Sequence, residues 1–172
     1  IAKRLVRARQ RIRELGLSFE MPAPHELPER LDGVLGTLYL LFNEGYKASG
    51  GPRLVRTELC HEAIRLLLLL AHHPATRTPK VHALLALMLL NGARLEGRTD
   101  DAGNLLLLEE QDRSRWNHAM IHRGVQHLGM AATGPEISVY HLEAGIAACH
   151  STAASATETN WPRILSLYDQ LL

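Results

Sequence analysis

Two uninterrupted aliphatic stretches, Leu66–Ala71 and Ala83–Leu90, restrict what this chain can fold into more than any other feature. Such runs must be covered on nearly all sides, yet each falls far short of the ~20 apolar residues that cross a bilayer. Both therefore belong inside a protein core. Leu occurs 32 times and Ala 20 times against Val 6 and Ile 7, and aromatics are only 5%. Leu and Ala favour helices, whereas a large sheet draws on β-branched and aromatic residues, so the expected fold is all-α with an aliphatic interior. With 172 residues, 46% of them apolar, the chain can bury a sizeable core in one domain or two small ones. No signal-peptide pattern is present, and the expected location is the cytoplasm, with no membrane partner.

The net charge of +1 conceals an asymmetry. Lys3, Arg4, Arg7, Arg9, Arg11 and Arg13 against Glu14 give +5 in the first sixteen residues, so the remaining residues sum to −4. Ile1, Leu5, Ala8, Ile12 and Leu15 recur every three or four residues and predict a helix ending at Gly16. With that stripe docked on its own domain, Arg4, Arg7 and Arg11 form one polar row and Arg9 with Arg13 another. The array suits phosphate oxygens, which guanidinium forks bind in plane with release of counterions. A solvated surface or a partner-binding helix would carry the same charge. Residues 17–27 contain Pro22 and Pro24, with Pro28 just beyond. Proline removes backbone donors and extends its predecessors, which predicts a linker between residues 1–16 and a helical body at 28–172. Phe19 and Met21 are placed to tack this linker onto a neighbouring surface.

In the body, Leu31, Leu35, Leu38 and Phe42 share one helical face, Val34 and Leu41 lie beside it, and Gly45 offers a stop. Arg53–His73 predicts a second, central helix and Lys80–Leu95 a third. Arg98–Asn104 has the composition of a turn, and Leu105–Leu108 is too short for periodicity to assign. Further helices are expected at Trp116–Ala131, Glu136–Ser151 and Trp161–Leu172, with Pro162 suited to a first turn. Paired helices of this length suggest stacked hairpins of the tetratricopeptide kind, although no strict repeat is visible. Tyr140–Ser151 with Trp161–Leu172 is the clearest hairpin, Ala144, Ala147 and Ala148 permitting close approach. The apolar end at Leu172 calls for more chain or another molecule to cover it.

Candidate chemistry is sparse. His118 and His122 stand one helical turn apart with His127 off their face, but Asn117, preceding the pair, and Ala119, following its first member, supply no glutamate of the metalloprotease kind, and no metal or cofactor is expected. His72–His73 reads as a helix C-terminal cap. Glu109, Glu110 and Asp112 beside Arg113 and Arg115 predict a salt-bridge network, with Asp112 or Ser114 capping the next helix. Cys60 and Cys149 read as reduced, buried thiols. No nucleotide-binding or nucleophile motif occurs, and the chain is not expected to be an enzyme.

Several phrases together, IAKRLVRARQRIRELGLSF at 1–19, LPERLDGVLGTLYLLFNEGY at 27–46, LCHEAIRL at 59–66, LLALMLLNGAR at 84–94, LLLLEEQDRSRW at 105–116, AGIAACH at 144–150 and NWPRILSLYDQLL at 160–172, carry a resemblance. The chain resembles bacterial extracytoplasmic-function sigma factors with a long C-terminal tetratricopeptide-like extension, and differs in having Glu110 where that family has aspartate. The resemblance implies that residues 1–16 are the later part of a helix-turn-helix recognition helix, with Lys3, Arg4, Arg7 and Arg11 on promoter phosphates at the −35 element. It implies RNA polymerase core as a partner through regions outside this chain, and residues 28–172 as a regulatory extension acting through protein contacts, with a regulatory partner protein. Asn43, Glu44, Tyr46, Asp112, Arg113 and Trp116 are the expected interface or structural network, because polar and aromatic groups set in aliphatic helices find partners. The alternative is a tetratricopeptide-like scaffold with no role on DNA.

Overall fold

The computed structural model describes residues 2–16, 22–50 and 53–172, with side chains in the first stretch from Val6 onward. Among them the chain is all-α: α1 (Ala2–Glu14), α2 (Leu27–Tyr46), α3 (Thr57–His72), α4 (Pro79–Gly92), α5 (His118–Ala131), α6 (Val139–Thr152) and α7 (Trp161–Tyr168). No strand occurs among the described residues; a single antiparallel bridge pairs Thr99 with Leu105. No helix among them is long and apolar enough to cross a membrane.

α1 ends where its sequence predicts, at Gly16, whose φ of +58° suits a residue without a Cβ. Among its described side chains the apolar stripe is not docked as expected. Ala8 is exposed, and Ile12 and Leu15 keep 39% and 53% of their surface. Phe19 and Met21 lie outside the described residues. Pro24 opens a short 3-10 turn at Pro24–Glu26, where the Ala23 amide donates to Glu26 Oε2 at 2.7 Å, and α2 follows directly.

α2 buries Leu31, Leu35, Leu38 and Phe42, the face its spacing predicts. Gly45, however, does not stop the helix, which continues to Tyr46. A Cβ there would lie 2.8 Å from Arg56 O, Cys60 N and Cys60 Sγ, so the glycine permits close approach to the start of α3. That approach also explains why α3 begins at Thr57 and not at Arg53. The Arg56 amide donates to Gly45 O at 2.7 Å and the Ala48 amide to Leu54 O at 2.9 Å, tying residues 54–56 back to the end of α2 in non-helical form.

The central helix is α4, not α3. Every residue from Val81 to Leu90 is buried, whereas α3 leaves Leu69 57% exposed. α4 packs on α5 and α6 most extensively, and also on α3 and α2. Thr78 caps it, accepting from the Val81 amide, and Pro79 occupies its first turn where a missing N–H is harmless. The alanines of α6 serve the α4 crossing and not the α6–α7 seam: Ala144, Ala147 and Ala148 join the main core. A satellite core of Leu142, Ile146, Ile164 and Leu167 holds α7 on α6.

Candidate functional site

α4 ends in three polar or small residues, Asn91, Gly92 and Ala93, and the chain then turns through Leu95–Gly97 before a long connection to α5. This connection brings arginines from a core helix's end against aromatic rings of α2. Arg94 donates through Nη2 to the Tyr46 hydroxyl at 2.6 Å and to Asn91 Oδ1 at 2.8 Å. The guanidinium carbon of Arg98 lies over the Tyr46 ring, 3.5 Å from its centroid, a cation–π contact. Tyr46 is itself stacked on Phe42 at 5.7 Å. On the other side Trp116, 4% exposed, has Arg113 at 4.5 Å and Arg94 at 5.9 Å from its ring centroid. Gly97 makes room for that indole: a Cβ would meet Trp116 Cδ1 and Nε1 at 3.2 Å.

The six residues expected as a network are divided by the fold. Asn43 and Tyr46 line a cavity of about 570 Å³ between α2, α4, α6 and the connection. Arg113 and Trp116 lie behind it, where Arg113 Nη1 donates to His150 O and Ala153 O, each at 2.8 Å. Glu44 instead holds the turn after α2, accepting from the Ser49 amide and hydroxyl. Asp112 accepts from the Ser114 amide at 2.9 Å and caps the short turn Arg113–Arg115, while Asn117 caps α5. The expected salt-bridge network is absent: among the described residues no ion pair involves Glu109, Glu110, Asp112, Arg113 or Arg115. Carbonyls at the end of α6 take the place of carboxylates for Arg113, which suits a guanidinium at a helix C-terminus. Burial holds the Arg113 pKa below its ordinary value, with the positive charge of Arg94 acting in the same direction.

Sequence reasoning missed Arg94, Arg98, Asn91, Gln111 and His150, which line the same cavity. The signal was present, since Asn91 and Arg94 follow the wholly apolar run Ala83–Leu90 as abruptly as Asn43 and Tyr46 interrupt α2. Every buried side-chain nitrogen or oxygen without a hydrogen-bond partner among the described residues lies in this neighbourhood: Arg94 Nε, Arg98 Nε, Gln111 Oε1, Arg113 Nη2, Trp116 Nε1 and His150 Nδ1. At the same cavity the Tyr39 hydroxyl donates to Glu143 Oε1 at 3.1 Å. Burial raises the Glu143 pKa, and the hydrogen bond from Tyr39 opposes that rise.

On α1, Arg7, Arg9, Arg11 and Arg13 are exposed, and Arg11 reaches Glu14 at 3.7 Å. The side chains of Lys3 and Arg4 lie outside the described residues. Among the histidines, His118 and His122 are exposed, and no group of three His, Cys, Asp or Glu side chains is placed to hold a metal among the described residues. His72 closes the end of α3, its Nδ1 2.6 Å from Leu68 O. His127 faces His82 of α4, with Nδ1 atoms 3.1 Å apart. Cys60 is buried and free, its thiol pushed up to about 12 by burial, and Cys149 is free and half-buried.

Residues 30–132 match a family of unknown function (DUF6596). The "Uncharacterized protein R00370" of Rhizobium meliloti (strain 1021) is 40% identical over 170 residues, covering 98% of this chain and 40% of that protein. The chain thus spans less than half the length of the curated relative it matches. No solved structure matches it.

Proposed function

The chain belongs to that family, and we propose that it is part of a sigma factor of the extracytoplasmic-function type, acting in the cytoplasm. In this reading residues 1–16 are the later part of the helix that contacts the −35 element, and residues 28–172 are a non-enzymatic helical extension that regulates the protein through contacts with sigma core, RNA polymerase or a partner protein. The observation that carries the reading is that Arg7, Arg9, Arg11 and Arg13 are all exposed, on a helix whose described side chains from Val6 onward are exposed on every side. A phosphate-binding helix needs its guanidinium groups in solvent and its apolar side against other protein. Ile12 and Leu15 supply that apolar side, and helices preceding α1 in a helix-turn-helix would cover it.

The far end of the chain supports the extension. Trp161, Leu165 and Tyr168 of α7 recur every three or four residues and are 55%, 63% and 52% exposed. A further tetratricopeptide-like hairpin would bury this stripe, and the greater length of the relative leaves room for one.

The test uses the full-length protein and a −35 duplex. Converting Arg7 and Arg11 to Gln should weaken binding and lower the slope of log affinity against log salt by about 0.9 for each lost phosphate contact. An unaltered slope would leave the scaffold alternative in place of DNA contact. Deleting Leu27–Leu172 should change promoter-dependent transcription while polymerase binding persists; unchanged transcription removes the regulatory part.

A further inference from the structure

We propose that the cavity between α2, α4, α6 and the connection after α4 binds a small organic anion, a carboxylate or phosphate head on an apolar body. The inference rests on the cavity alone and stands apart from the promoter reading. Among the described residues none of Arg94, Arg98 and Arg113 forms an ion pair. Glu143 is the one carboxylate in the lining, and its Oε1 is engaged by Tyr39. Half-buried cations grouped without an ion-pair partner are unfavourable, and an anion among them relieves both the repulsion and the lost hydration.

Arg98 is the centre of the site. Among the described residues its side chain donates to no protein acceptor, and its Nε is buried without a partner. A planar fork with free terminal donors is the arrangement that binds a carboxylate or phosphate in charge-assisted pairs. It is held ready for a ligand, because Tyr46 beneath it is fixed by the Phe42 ring and by the Arg94 hydrogen bond. Gln111 is 9% exposed, lines the same cavity, and its unpartnered Oε1 would accept from an N–H or O–H on the ligand body, away from the anionic head. The apolar body follows from Leu87, Met88 and Ile146 on the opposite lining, and about 570 Å³ lies within the range of small-molecule sites.

Titration calorimetry of the protein with benzoate, phenyl phosphate and the neutral benzyl alcohol, at constant ionic strength, tests this. One of the two anions should bind saturably and at least tenfold more tightly than the alcohol, and the tighter anion identifies the head group. The Nε–H resonances of Arg94 and Arg98 should shift on titration. Arg98→Gln should weaken binding at least tenfold, and Arg123→Gln, on the exposed side of α5, should not. Arg98→Lys keeps the charge without the planar fork and should still bind several-fold more weakly, which covers the case in which Arg98→Gln does not fold. Absence of saturable binding by both anions at millimolar concentration overturns the proposal, as does equal binding of benzyl alcohol or wild-type affinity in both Arg98 variants.

Discussion

Gly45 shows how far a residue's role can depart from its propensity. Glycine near a helix end reads as a stop, yet here the backbone of α3 passes 2.8 Å from the place a Cβ would occupy. Gly45→Ala should therefore cost about 1–3 kcal/mol, since the atoms it meets include backbone that cannot rotate away. Gly36, in the same helix with nothing within 4 Å, is its control: Gly36→Ala should gain roughly 0.5–1 kcal/mol from helix propensity. Urea unfolding of the two variants checks both signs, and equal effects would refute the close-approach account. The polar residues divide similarly. Tyr46, Arg113 and Trp116 are recognisable in sequence as polar or aromatic intrusions into aliphatic segments. The hydrogen-bond partners of Tyr46 and Arg113, namely Arg94 and the His150 and Ala153 carbonyls, are 48, 37 and 40 residues distant and leave no local trace.

At the scale of elements, the expectation of two equally apolar helices resolves into one interior and one peripheral helix. Both carry long aliphatic runs, and composition ranks them alike. The difference comes from neighbours: α4 is packed by α3, α5, α6 and part of α2, whereas α3 packs on α2 and α4 and leaves one side to solvent. Leu85→Ala, at a fully buried position of α4, should cost about 2–5 kcal/mol. Leu69→Ala, on the open side of α3, should stay within about 0.5 kcal/mol. Chemical denaturation distinguishes the two, and comparable losses would restore α3 to the centre. The end of α5 falls at Ala131, where the sequence placed it, and the start of α7 was legible from Pro162. The start of α3 was not, because tertiary hydrogen bonds to α2 compete there with helix propensity.

For the molecule as a whole, the His82–His127 pair ties global stability to pH. Their rings stack at 5.1 Å across the α4–α5 interface. Burial lowers the His127 pKa to about 4, with the neighbouring His82 and Arg123 adding to the effect, and burial lowers that of His82 too. A histidine depressed in the folded state binds its proton more readily when unfolded, so the unfolded chain gains protons first as pH falls below about 6.5. Stability should therefore decline between about 6.5 and 4 as His127 contributes to the unfolding proton uptake. His127→Phe keeps an aromatic ring on α5 and should lose less stability than the wild type between pH 7 and 5; an equal loss would show that the pair does not control this window. His82 retains its own depression, so the dependence shrinks without vanishing.

Helical class, the apolar face of α2, the basic outer surface of α1 and most helix limits follow from composition and periodicity, because each depends on residues within a few turns of one another. Which aliphatic helix lies innermost, the undocked stripe of α1, and the convergence of Arg94 and Arg98 on Tyr46 come from packing. Crossing helices bring together side chains that are neighbours in space alone, and a pattern along the chain does not contain that distance.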